Sequence, residues 1–191
     1  MNHITIVGLG ALGSHVVQAL RNMKQGLKLI DFDHVEQKNT LAQFHSNMSL
    51  RRNKAQAMQQ ALQGLWGLKV EAVPHKLTDD NAKVLLGGSI LVIDCTDNIA
   101  ARACMMKLCR AQNIPLLHGA MSADGTFARA IWTEWFKPDA ESGDGATCED
   151  GENLPFHVLA GAAIAQAGKL FLTKGSKTNF DITPSGGVVR F

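Results

Sequence analysis

The chain has 191 residues, of which 46% are hydrophobic and 19% charged, with a formal net charge of +2. That length suits one domain with a sizeable core, and residues 1–191 are expected to form a single unit. The composition is that of a soluble globular protein; without a long basic block nucleic acid gains no support as a partner, and no apolar run is expected to reach bilayer length.

An apolar run at 4–7 reads as the first strand. It ends in Gly8-Leu9-Gly10-Ala11-Leu12-Gly13. A helix over 11–24 follows, because Leu12, Val16, Ala19, Leu20 and Met23 recur at helical spacing. A second strand over 27–31 closes on Asp31. This order of strand, glycine turn, helix, strand and acid predicts a nucleotide site. Glycines let the backbone approach phosphates, the helix N-terminus faces them with unpaired N–H groups, and the acid reaches a ribose hydroxyl. A glycine turn that only serves helix–strand packing is the structural alternative.

A polar segment over 33–49 comes next. A helix is expected over 51–65, a strand over 69–73, a short helix over 80–86 and a strand over 90–94. A helix over 98–112 and strands over 115–119 and 127–133 complete the alternation, which predicts a doubly wound, mainly parallel sheet with helices on both faces. Residues 134–153, with Pro138, Gly143, Gly145, Gly151 and several acids, read as a long loop. A helix rich in Ala and Gly is expected from Pro155 to Leu172. The tail NFDITPSGGVVRF then reads as two short strands around a Pro-Ser-Gly-Gly turn, an antiparallel extension of the sheet.

The cysteines are Cys95, Cys104, Cys109 and Cys148, and none forms a Cys-x-x-Cys pair, so no structural zinc is expected. Reduced thiols and a first segment that reads as strand and turn, not as a signal peptide, make a cytoplasmic location the expectation. Cys148 differs from the others in lying in a polar, glycine-rich stretch.

Two further segments narrow the chemistry. One is Asp31-Phe32-Asp33-His34-Val35-Glu36-Gln37-Lys38-Asn39, followed by Arg51-Arg52-Asn53-Lys54-Ala55; the other is Asp94-Cys95-Thr96-Asp97-Asn98 at the end of a parallel strand. An acid and a lysine around a phosphate suit ATP chemistry, since magnesium prefers carboxylate and phosphate oxygens and a lysine neutralises charge on phosphates. Plainer roles stand beside these. Asp33 and Asn39 can serve a turn, Lys54 can be a solvated helix residue, and Asp97 can cap the helix that starts near Asn98.

GLGALGS, DFDHVEQKN, RRNKAQAM, DCTDN followed by Arg102, IPLLHGA, TCEDG and the final FDITPSGGVVRF occur in an order that resembles the ThiF/MoeB superfamily, the activating enzymes of ubiquitin-like and sulfur-carrier proteins. The resemblance implies a Rossmann-like fold and Mg-ATP-dependent adenylation of the C-terminal glycine of a small carrier protein ending in Gly-Gly. It implies that Gly8, Gly10, Ala11 and Gly13 form the phosphate-side turn and that Asp31, with Asp33 nearby, binds ribose. Asn39 and Lys54 would lie near the phosphates, Asp97 would hold magnesium, and Asn98 would lie beside the nucleotide. Cys148 matches a cysteine that in some relatives takes the activated acyl group or exchanges sulfur. A homodimer or heterodimer is implied as well.

The sequence departs from that pattern at Ala42, where the family has an arginine that helps hold the phosphates; Arg51 or Arg52 is the candidate substitute. The family's zinc-binding cysteine pairs are also missing, as in a minimal member. Ala42 keeps open a degenerate partner subunit that retains only the nucleotide. The glycine turn and Asp31 by themselves would also allow an NAD-dependent oxidoreductase, which DCTDN and Lys54 disfavour.

Overall fold

The computed structural model describes residues 2–137 and 151–191. Strands β1 (His3–Val7), β2 (Gly26–Ile30), β3 (Glu71–Val73), β4 (Ser89–Asp94), β5 (Leu116–Met121), β6 (Ala128–Trp132), β7 (Phe180–Ile182) and β8 (Val188–Arg190) form one sheet in the order β3-β2-β1-β4-β5-β6-β7-β8. The first five in that order pair in parallel; β6, β7 and β8 pair antiparallel. The expected doubly wound sheet with an antiparallel extension is therefore present. Strand order reverses direction between β1 and β4, and such a reversal opens a ligand crevice beyond the strands' C-terminal ends.

Alternation along the strands divides the core in two. Ile4, Ile6, Leu29 and Ile93 pack under α1 (Gly13–Leu20), α3 (Lys54–Trp66) and α6 (Leu154–Lys174). Val7, Ile30 and Val92 pack under α4 (Ala82–Leu86) and α5 (Ile99–Ala111). The short α2 (Asn39–Ala42) and a 3-10 turn at Asn47–Ser49 lie inside the segment read as merely polar.

Several boundaries differ from expectation for identifiable reasons. α1 starts at Gly13 rather than at residue 11, because the glycine turn precedes its first hydrogen-bonded turn, and it ends at Leu20 so that the chain can reverse before Gly26. α3 starts at Lys54 rather than at residue 51. Arg51 has φ +66°, and Asn53, in extended backbone, caps the helix by accepting from Ala55 and Gln56.

α6 corrects a further expectation. It is 21 residues long with mean hydropathy 1.3, long and apolar enough to cross a membrane. Its inner face serves packing instead: Ala160, Gly161, Ile164, Ala165 and Gly168 are buried, with Gly168 against Leu91 and Ile93 of β4. A Cβ at Gly161 would meet the His15 Cβ at 2.6 Å, so α1 and α6 touch through that glycine.

Candidate functional site

The glycine turn between β1 and α1 sits at the strand-order reversal. Gly8 has φ +85°, and a Cβ there would lie 2.8 Å from the Cys95 carbonyl oxygen. A Cβ on Gly13 would lie 1.9 Å from the Gly8 carbonyl oxygen. Both positions therefore require glycine to form the turn and to seat it against β4. Gly10 is different: a Cβ there meets nothing within 4 Å. Among the described residues no acceptor engages the N–H groups of Gly10, Ala11, Leu12 or Gly13, whereas Ser14 N–H is already bonded to the Gly10 carbonyl at 3.1 Å. Four unengaged donors, with open space at Gly10, make an anion cradle at the start of a helix.

Asp31 lies at the end of β2 and is 8% exposed. Its Oδ2 accepts from Leu9 N–H at 2.6 Å and its Oδ1 from Asp33 N–H at 2.8 Å. A carboxylate has room for about four hydrogen bonds, so two sugar hydroxyls can still be accommodated. Burial pushes its pKa above the usual carboxylate value, opposed by the Leu9 amide, the Lys54 ammonium and the Asp33 amide. Asp33 is half-exposed and pairs with Lys54 Nζ at 3.6 Å, while the Lys54 stem is largely buried. This pair places a cation near Asp31 at the crevice.

Asn53, which the sequence reading passed over, organises that corner. Besides capping α3, its side-chain amide donates to the Asp31 carbonyl at 2.8 Å and to the Asp33 carbonyl at 3.1 Å. An Asn directly before a helical run was the available signal. Asn39 is buried and its Oδ1 accepts from Glu36 N–H at 2.8 Å, closing its own turn. Arg52 is exposed and donates to Gln60 of α3. Ala42 is fully buried in α2.

The alternative in which Asp97 caps α5 is not the one adopted. Asn98 is the cap, accepting from Ala101 N–H at 2.9 Å. Asp97 is exposed, just past the end of β4, where Cys95 N–H bonds the Val7 carbonyl at 2.8 Å and brings this loop beside the glycine turn. Magnesium needs only one or two carboxylates in addition to substrate phosphates. An exposed Asp97 fits that requirement, although no group of three or more metal-ligating side chains occurs among the described residues.

Behind Asp97 lies a network the sequence reading did not single out. Asp94 is fully buried; its Oδ1 accepts from Thr96 N–H at 2.9 Å and Thr96 Oγ1 at 2.7 Å. Its Oδ2 meets His118 Nδ1 at 2.8 Å and Arg102 Nε at 3.4 Å. Arg102 also donates to the carbonyls of Thr96 and Gly119. The loop that carries Asp97 is thus held through both the N–H and the C=O of Thr96. Arg102 and His118, with Arg129, Phe136 and Lys137, line an adjoining cleft of about 80 Å³. Phe136 stacks on His118 with ring centroids 3.9 Å apart.

Cys95, beside Gly13, is half-buried, and desolvation together with the neighbouring Asp94 pushes its thiol pKa far up, which disfavours the thiolate. Cys148 lies outside the described residues, as does the stretch 138–150 of the expected loop.

The chain belongs to the ThiF family, which it matches over residues 1–176. It is 34% identical over 120 residues to a molybdopterin-synthase adenylyltransferase of Salmonella typhimurium, covering 61% of this chain and 48% of that protein. It is 32% identical over 123 residues to the SAMP-activating enzyme E1 of Haloferax volcanii, covering 63% and 46%. A tRNA threonylcarbamoyladenosine dehydratase of Escherichia coli is 34% identical over 122 residues, covering 60% and 44%. The chain spans about half the length of these curated relatives. Its fold is that of E. coli MccB, solved with AMPCPP and MccA: the TM-score is 0.78 at 17% identity, over 99% of this chain and 63% of that one.

Proposed function

We propose that this protein uses Mg-ATP to adenylate the C-terminal glycine carboxylate of a small ubiquitin-like or sulfur-carrier protein ending in Gly-Gly. The observation that carries the reading is the set of four unengaged N–H groups from Gly10 to Gly13 in the same crevice as Asp31, Lys54 and Asp97. In this reading the turn and Lys54 take the phosphates, and Asp31 takes the ribose. Asp97 would hold magnesium, which would supply charge compensation for the phosphates. A carboxylate oxygen of the carrier attacks the α-phosphorus, the bond to the bridging oxygen of the β-phosphate breaks, and pyrophosphate leaves. Preorganised donors stabilise the charge that develops on the leaving group.

The cleft beside Arg102 supports the choice of a carboxylate-bearing chain end, because Lys137 lines it, while Arg102 is already paired with Asp94. Arg129 is already paired with Asp181 at 2.7 Å and contributes less. Cys148 is assigned to a later transfer step, outside adenylation; its neighbours Glu149 and Asp150 oppose thiolate formation, so a cation or a helix N-terminus must offset them. A dimer in the cytoplasm is the proposed state. Exposed Leu41, Val158 and Leu159 supply apolar surface for such an interface.

The test is carrier-dependent exchange between ATP and labelled pyrophosphate. Exchange that needs a carrier with an unblocked terminal carboxylate supports the reading; ATP binding without exchange favours the second reading, an inert nucleotide-binding subunit, which the missing arginine at Ala42 suggests. A Cys148→Ser variant should keep exchange and lose transfer.

A further inference from the structure

The glycine turn offers its donors only if the Leu9–Gly10 peptide faces the right way. A trans peptide is planar, so the Leu9 C=O and the Gly10 N–H point in opposite directions. Whatever holds that carbonyl aims that donor. Glycine resists rotation of the flanking peptide poorly, because it lacks a Cβ. In this structure the Leu9 carbonyl is held by His45, whose Nε2 lies 3.0 Å away, while the Leu9 N–H is held by Asp31.

We infer that His45 is a positioning residue for nucleotide binding: by donating Nε2–H to the Leu9 carbonyl it turns the Gly10 N–H toward the open side of the crevice, where a phosphate oxygen would accept it. The inference rests on the Mg-ATP reading above and goes beyond it by assigning a residue that touches no phosphate. His45 is buried, and its own segment is anchored. Phe44 N–H donates to Ser14 Oγ at 2.9 Å, and His15 Nε2 meets the Ala42 carbonyl at 3.2 Å. The imidazole therefore approaches the turn from a braced stretch. Burial keeps it neutral down to about 4, and with a carbonyl as partner its proton sits on Nε2.

The experiment compares parent, His45→Leu and His45→Gln for Mg-ATP affinity by calorimetry, with thermal unfolding recorded in parallel. We expect His45→Leu to fold and to lose about tenfold in affinity, the scale of one misaimed hydrogen bond. His45→Gln, whose amide can donate to the same carbonyl, should recover most of that loss. In the parent, the amide signal of ¹⁵N-labelled Gly10 should move on adding ATP; in His45→Leu that response should shrink. Parental affinity in His45→Leu, or an equal loss in both variants, overturns the assignment. If His45→Leu does not fold, His45→Asn replaces it, since its shorter amide falls short of Leu9, and parental affinity there overturns the assignment equally. A parent chain that binds no Mg-ATP defeats the functional reading itself, which separates the two failures.

Discussion

Asn98 caps α5 through a 2.9 Å hydrogen bond from Ala101 N–H, and this leaves the neighbouring Asp97 with an exposed carboxylate. Under the proposed function, Asn98 carries the structural task and Asp97 the chemical one. Asp97→Ala is therefore expected to keep the melting temperature of the parent and to lose pyrophosphate exchange by at least a hundredfold, since a metal ligand is worth several kcal/mol at a phosphate. Asn98→Ala should do the reverse in part, costing about 1 kcal/mol of stability. Melting curves and exchange rates on both variants check the division.

Gly10 and Gly13 should respond differently to the same substitution. Gly13→Ala drives a methyl into the Gly8 carbonyl, so loss of folding or a large drop in melting temperature is expected. Gly10→Ala meets open space and should fold. Its methyl would then occupy part of the cradle, and Mg-ATP affinity should fall. Circular dichroism and calorimetry on the pair are the measurement.

Arg102→Leu removes a cation from beside Asp94, a carboxylate with no exposure. Breaking a buried pair leaves an uncompensated charge and costs roughly 3–5 kcal/mol. The expected outcome is a large fall in the denaturant midpoint. Asp94→Asn combined with Arg102→Leu should recover part of it, because the orphaned charge is gone.

Stability should fall in acid. Burial lowers the pKa of His45 to about 4 and that of His15 below its ordinary 6.5, so below pH 6.5 the unfolded chain binds protons that the folded chain refuses. Their contributions are complete above 6.5 and are lost as pH drops toward the folded values, with His45 alone amounting to roughly 3 kcal/mol. Asp31 acts in the opposite sense: its raised pKa makes the folded state gain stability as pH falls through that value. Replacing His45 by Gln should flatten the decline between pH 6.5 and 4 in urea titrations.

What could be read without a structure was local. A strand ending in Gly8, a turn closing at Gly13, an acid at Asp31 and an apolar period along each helix all depend on residues near one another in the chain. The antiparallel tail was legible for the same reason, as two short runs around Pro184-Ser185-Gly186-Gly187. What required the tertiary structure was every role defined by a distant partner. His45 reaches Leu9 across 36 positions and His118 reaches Asp94 across 24. Nothing in the neighbourhood of either histidine announces that contact. The cap of α5, for which the sequence offered Asp97, likewise went to Asn98 once the tertiary structure was formed, because both side chains can accept an amide and only the path of the loop determines which one does.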